Sequence, residues 1–324
     1  MCTAITMNSD HYLFGRNLDW KDSCGGMIVT CPRNYSYFFQ NGQTLQNHYA
    51  MIGVAAVCDG FPLYFDAANE AGLAIAGLNF PEQAYYHPFH CYKNNLAPYE
   101  LIPWLLCKCR SVAEAQAELE SINVWAHPFS DTLPLTPLHW IIADQRQCIV
   151  VESTLDGLQV YDNPYGVLTN SPPFPYHATH IRQFLGLSNQ TPQNKFSAKL
   201  ELKPYSYGMG AIGLPGDPSS PSRFVRAAFI KWNSPSYRNT SEQIIQFFQI
   251  LKSVMQQKGV TRFPDGDFEY TVYSGCCDVT DMIYYYTTYH THAIHAVSLK
   301  RTDLEGTALV QHPLVDTLCI HHDN

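Results

Sequence analysis

The sequence is poor in charge: of 324 residues only 15% are Asp, Glu, Lys or Arg, and the 28 acidic residues outnumber the 20 basic ones, for a formal net charge of -8. Lys and Arg are not clustered, so the chain offers no field for nucleic acid or for an anionic lipid surface. No apolar run approaches the ~20 residues of a membrane-spanning helix. The N-terminus has no basic stretch leading into an apolar core, so no secretory signal is expected and a cytoplasmic location is. Internal repeats, low-complexity tracts and a linker are all missing. So are the Gly-x-Ser-x-Gly elbow of serine hydrolases and the glycine-rich phosphate loop of nucleotidases. What remains is a globular composition, 46% hydrophobic, long enough to bury a sizeable core and expected to form one domain over residues 1–324. Eleven cysteines without a secretory signal read as reduced thiols and not as a disulfide framework.

The chemistry is concentrated at the start of the chain. Cys2 follows Met1, and methionine is removed when the second side chain is small. The mature chain then begins with a thiol and a free α-amine on one residue, a nucleophile and a base together. The amine titrates ordinarily at about 7.7–8.0 and the thiol at about 8.5, so a proton can pass between them near neutral pH. Residues 2–6 and 12–14 read as strands, joined by a hairpin around Ser9 and Asp10 that returns Arg16 and Asp19 to the side of Cys2. Arg16 favours a thiolate there and Asp19 accepts from the amine. In an extended segment the two point to opposite faces, which calls for a bend or bulge.

Met-Cys-Thr followed by Phe14-Gly-Arg-Asn-Leu-Asp-Trp20 resembles the choloylglycine hydrolase family, which contains bile salt hydrolases and penicillin V acylases. The resemblance continues in order through Asn69-Glu-Ala-Gly-Leu73, Gly77-Leu-Asn-Phe-Pro81, Leu138-His-Trp140, Leu168-Thr-Asn-Ser-Pro172, Gly213-Leu-Pro-Gly-Asp217 and Ser219-Ser-Pro-Ser-Arg-Phe-Val-Arg226. It implies an N-terminal nucleophile hydrolase fold, a four-layer αββα arrangement with two stacked antiparallel sheets. It also implies a cysteine amidase acting on linear carbon–nitrogen amide bonds. Carried over, Cys2 matches the nucleophile and Asp19 the residue that orients its amine. Arg16 and Arg223 lie near the thiol and favour its charged form, and Asn79 and Asn170 bind the tetrahedral oxyanion. Leu18 and Phe65 are expected at the substrate, and neither a metal nor an organic cofactor is required.

The residues by themselves argue for α+β. Strands adjacent in sequence are joined by hairpins, with helices grouped between them. Strands are expected at Met27–Thr30, Met51–Val57, Gly72–Ala76, Leu138–Ala143, Gln147–Glu152, Leu158–Tyr161 and Val167–Asn170, and later at Tyr270–Ser274, Met282–Tyr286 and Ala293–Leu299. Helical spacing appears over Pro98–Lys108, Val112–Ile122, His177–Leu185, Arg223–Trp232 and Ser241–Lys258. Ser111 with Glu114 forms a capping-box pattern, and Gly259 stands as a C-cap. Asn189–Leu202 is a polar arm expected to serve oligomer contacts, and the family resemblance implies a homotetramer.

Three patterns are weighed and set aside. Gly208-Met-Gly-Ala-Ile-Gly213 is literally a dinucleotide fingerprint, but a polar arm precedes it and a turn follows it where a strand and a helix are needed. His290 and His292 would share a strand face suited to a metal, with His295 close by, but no spaced carboxylate or Cys pair accompanies them. Cys107/Cys109 and Cys276/Cys277 lack the two-residue gap of zinc or redox pairs. Between the family's substrates, Asn79 favours bile salts, because penicillin V acylases tend to carry an aromatic residue there. Phe65 is bulky where some members are small, which bears on how a broad steroid is seated. Penicillin V and other N-acyl amides, such as acyl-homoserine lactones, are the alternatives.

Overall fold

A computed structural model describes residues 1–324 as two antiparallel sheets stacked face to face, with helices on both outer sides. One sheet is built around β1 (Cys2–Asn8) and β2 (Tyr12–Trp20), which form the expected hairpin with Cys2 opposite Leu18. The strand Val167–Leu168 flanks β1. On the other side of β2 lie Phe268–Asp278, then Ile283–Thr288 and His295–Ser298. The second sheet runs in the order Gly157–Asp162, Cys148–Thr154, Leu138–Ala143, Ala74–Asn79, Phe61–Asn69, Met51–Cys58, β3 (Met27–Cys31) and Val310–Pro313. Helices α1 (Leu101–Lys108) and α2 (Val112–Leu119) cover the second sheet. After the short α3 (Phe174–His180), α4 (Ser220–Asn233) and α5 (Thr240–Lys252) cover the first.

The apolar runs follow from this layering. Each central strand is buried on both faces, so its residues divide by parity and not into core and solvent. Ile28, Ile52, Val54 and Ala76 face the core between the sheets. Val29, Met51, Ala55 and Ile75 face the core under α1 and α2. Gly15 in β2 is required by close approach, because a Cβ there would collide with the Gly275 carbonyl on the next strand.

Several expected boundaries move. Asn170 lies two residues past the strand Val167–Leu168 and not within it. The helix His177–Leu185 is α3, beginning at Phe174, followed by a 3-10 turn over Ile181–Phe184. Ser111 caps α2 by accepting from the Glu114 N–H at 3.3 Å, but Glu114 reaches back to the Arg110 N–H instead of closing the box on Ser111. α5 ends at Lys252, six residues early, so Gly259 is a turn residue at φ 106° and not its cap. Tertiary hydrogen bonds outcompete the last turn. The Arg226 Nε–H donates to the Ser253 carbonyl at 2.7 Å, and the Gln256 N–H donates to Thr271 Oγ1 at 2.8 Å.

The patterns set aside find plain structural roles. The Gly208–Gly213 run begins in a 3-10 turn over Tyr207–Ala211, where Gly210 packs on the backbone of Ser188 and Gln190. His290 and His292 lie before the strand His295–Ser298 and share no strand face, and His290 pairs with Asp316 at 3.0 Å. Cys107, Cys109, Cys276 and Cys277 are buried free thiols.

Candidate active site

Cys2 sits at the end of β1, 4% exposed, and lines a cavity of about 350 Å³ that runs from β1 and β2 to the second sheet and α1. Arg16, Leu18, Asp19, Phe65 and Asn79 line the same cavity. Its walls are mostly apolar, with Leu63, Ile102, Phe129 and Leu135 among them. The Trp140 indole N–H at this wall is buried and has no partner. A larger, more polar depression of about 970 Å³ opens at the opposite end of β1, around Asn8, Asp144 and Lys231, and holds none of the predicted site residues.

The expected bend in β2 is absent; the strand is continuous, and the irregularity lies in Phe268–Asp278 between Thr271 and Tyr273. Arg16 and Asp19 still reach Cys2 because they approach the strand terminus from opposite faces. Arg16 faces the other sheet, its Nη1 donating to the carbonyls of Gly77 at 2.5 Å and Phe65 at 3.0 Å. Asp19 shares the helix side with Asn17, whose amide donates to Leu251 of α5 at 2.9 Å. Asp19 Oδ1 accepts from the Thr271 hydroxyl at 2.5 Å, and Oδ2 is buried without a partner.

Asn170 and Arg223 complete the surroundings. Asn170 Oδ1 accepts from the Cys2 N–H at 2.7 Å and from Arg223 Nη2 at 2.7 Å. Its Nδ2 donates to the Asn79 carbonyl at 2.7 Å, tying the two asparagines together. Arg223 Nη1 donates to Thr3 Oγ1 at 2.7 Å and also to the Cys2 carbonyl. The Asn79 side-chain amide lines the cavity and makes no hydrogen bond to the protein. All six predicted catalytic residues are therefore gathered around one strand end, although Asn170 and Arg223 do not line the cavity itself.

Burial governs the charges. Arg16, Asp19 and Arg223 are almost wholly inaccessible. Burial pushes the Asp19 carboxyl up, opposed by the chain's ammonium, by Arg223 and by the Thr271 hydrogen bond. Burial lowers Arg223, opposed by Asp19 and Cys2. Arg16 ends above its ordinary value because the Cys2, Tyr273 and Asp66 groups outweigh the burial that acts against it. The Met1 ammonium, which donates to the Asp19 carbonyl at 2.9 Å and pairs with Glu269, is lowered chiefly by burial.

Sequence reasoning missed the supporting layer. Thr271 and Glu269 flank the amine side, and their i, i+2 spacing on a strand rich in aromatic and β-branched residues was the available signal. His177 Nε2 donates to the Asn170 carbonyl at 2.9 Å, and Ser220 Oγ accepts from the Asn170 N–H at 2.9 Å. These come from a helix-side packing that no spacing reveals.

Known proteins resemble the chain in sequence and in fold. The model of the linear amide C–N hydrolases, choloylglycine hydrolase family, matches residues 2–312. The bile salt hydrolase/transferase of Lactiplantibacillus plantarum is 50% identical, over 97% of each chain. A solved mutant of the conjugated bile acid hydrolase from Clostridium perfringens superposes with a TM-score of 0.92 at 35% identity, covering all of both chains. Penicillin V acylase from Agrobacterium tumefaciens shares the fold, with a TM-score of 0.74 at 21% identity over 96% of this chain and 90% of that one. The chain belongs to the choloylglycine hydrolase family of linear amide C–N hydrolases.

Proposed function

We propose that the chain hydrolyses the amide bond of glycine- or taurine-conjugated bile salts, with Cys2 as its N-terminal nucleophile once Met1 is removed. The observation that carries this reading is the seat of Cys2, at the floor of an apolar cavity with its nitrogen fixed by Asn170 and its surroundings charged. In the mature chain the α-amine takes the thiol proton, and the thiolate attacks the amide carbon. The resulting oxyanion is met by the Asn79 amide, a donor at the cavity that the protein leaves free. Asn170, with Oδ1 on Cys2 and Nδ2 on Asn79, has one N–H left for the same oxygen. The tetrahedral species collapses to a thioester as the α-ammonium gives its proton to the departing amine. Water then attacks the thioester and releases the acid. Arg16 and Arg223 supply fixed positive charge beside the sulfur, and Asp19 holds the amine through its unpaired Oδ2.

Leu18 and Phe65 shape the acyl side. The similarity to bile salt hydrolases supports this substrate class over penicillin V, whose acylase is matched at 21% identity. A relative named hydrolase/transferase also fits the thioester, which an amine can resolve in place of water. The test is kcat/KM on glycocholate, taurocholate and penicillin V side by side. We expect both bile salts to exceed penicillin V, and a penicillin V value above both overturns the choice. Full activity in protein shown by intact mass to retain Met1 overturns the role of the amine.

The reading extends to a cytoplasmic homotetramer. The arm around Asn189–Leu202 is exposed and irregular, and Phe196, Leu200 and Leu202 present apolar surface to solvent. Trimming the arm should yield smaller species, and a monomer for the intact chain in analytical ultracentrifugation refutes the tetramer.

A further inference from the structure

The helix side of the site holds a carboxylate that loses its partner on maturation. Glu269 is 2% exposed, and its one ionic or hydrogen-bond partner is the Met1 ammonium. It stands two residues before Thr271 on the strand Phe268–Asp278, so the two share a face. Thr271 lies directly opposite Asp19 and donates to its carboxylate at 2.5 Å. Glu269, Thr271 and Asp19 therefore form one polar row beside the chain's amino end. The Cys2 nitrogen follows the Met1 nitrogen by three bonds, at most about 3.6 Å away. When Met1 leaves, a buried carboxylate remains within reach of a newly freed amine. A buried charge persists only where a counter-charge is supplied.

Resting on the reading of Cys2 as nucleophile, we infer that Glu269 is a positioning residue of the mature enzyme, which together with Asp19 holds the Cys2 α-ammonium. The groups facing that amine are then Asp19 and Arg16 from β2, Arg223 from α4, Glu269 from the strand Phe268–Asp278, the Cys2 thiol, and the neutral Asn170 oxygen. The two carboxylates favour the protonated amine and oppose the thiolate, while the guanidiniums act the other way. Removing one carboxylate therefore shifts both ionisations of Cys2 to lower pH.

The experiment uses mature protein, shown by intact mass to begin at Cys2, in wild type, Glu269→Gln and Glu269→Asp. The pH dependence of Cys2 alkylation by iodoacetamide is measured alongside kcat/KM for glycocholate. Glu269→Gln should move the midpoint of alkylation and the acid limb of kcat/KM down by half a pH unit or more. Glu269→Asp, which keeps the charge, should stay near wild type and serves if the Gln variant fails to fold. Unshifted midpoints in Glu269→Gln overturn the inference, whatever happens to the amplitude. So does an equal downward shift in Glu269→Asp. Alkylation needs no substrate, so a failure of the bile-salt reading leaves this result intact. Persistent activity in Cys2→Ala instead removes the nucleophile reading on separate evidence.

Discussion

The two faces of the β1–β2 pair at Cys2 are built from opposite materials. The face toward the second sheet is an apolar chamber into which one guanidinium, Arg16, is fastened by backbone carbonyls. The face toward α4 and α5 is crowded with buried polar groups: Thr3, Asp19, Thr271 and Glu269, with Arg223 reaching in. One chamber has room for a ligand and little polarity; the other has polarity and no room. Cys2 is the residue at which they meet, because a strand terminus exposes its side chain to one face and its nitrogen to the other. In the proposed mechanism, acyl recognition and attack fall to the sheet side and proton handling to the helix side.

The largest effect belongs to the residue that joins the two faces. Cys2→Ala should lower turnover by at least about 10⁴-fold while circular dichroism and the thermal transition stay close to wild type. Cys2→Ser keeps an oxygen nucleophile and should be severely slowed. Iodoacetamide should inactivate by labelling Cys2. Cys276 and Cys277 are fully buried, with burial pushing both thiols well up, so inactivation that tracked their labelling would move the site elsewhere.

Next comes Asn79, a free donor on the sheet side. Asn79→Ala should cost about 10²–10³-fold in kcat, near 2.7–4 kcal/mol, with KM little changed, because an oxyanion forms only after attack. A rise in KM with kcat untouched would make Asn79 a wall of the chamber and not part of the chemistry. Phe65 offers the smaller test of the same face. Phe65→Ala widens the chamber without touching the helix side, and should raise the bile-salt to penicillin V ratio of kcat/KM by about 10-fold or more, within the 1–3 kcal/mol of a single pocket contact. A ratio that fell would give the chamber to the smaller phenoxyacetyl group.

The two faces were also unequally legible in the sequence. Arg16, Leu18 and Asp19 stand in one contiguous block after Cys2, and a hairpin is enough to bring them back beside it. Their opposite faces were legible too; the bend in β2 was not needed, because the irregularity lies in the neighbouring strand between Thr271 and Tyr273. The helix-side support was hidden because its members come from strand and helix positions up to 268 residues apart in the chain. Local pattern holds no record of such pairs. The early end of α5 has the same origin: its apolar stripe continues to Val254, but Arg226 and Thr271 capture the backbone first. The grouping of strand and helix runs was enough for α+β, and the four-layer order came from the family resemblance. Which face of a doubly buried strand meets which core was not, because both parities are apolar.

The smallest effect sharpens the comparison from beneath the helix side. His177 is wholly buried, stacks on Phe224 with ring centroids 4.9 Å apart, and donates through Nε2 to the Asn170 carbonyl. Burial holds it down to about 4, partly opposed by that hydrogen bond. Its folded value thus lies below the unfolded value of about 6.5, so between these two the unfolded chain binds the extra proton. Stability from this residue is complete above pH 6.5 and is lost as pH falls toward 4. Denaturant unfolding at pH 6.5 and pH 5.5 should therefore show wild type losing about 1 kcal/mol more than His177→Gln, whose side chain can still donate to Asn170 but does not titrate. The variant is expected to be less stable at both values, so the difference between the two pH slopes carries the result. Equal slopes would mean that His177 charges in place, and that the seat of Asn170 does not depend on keeping it neutral.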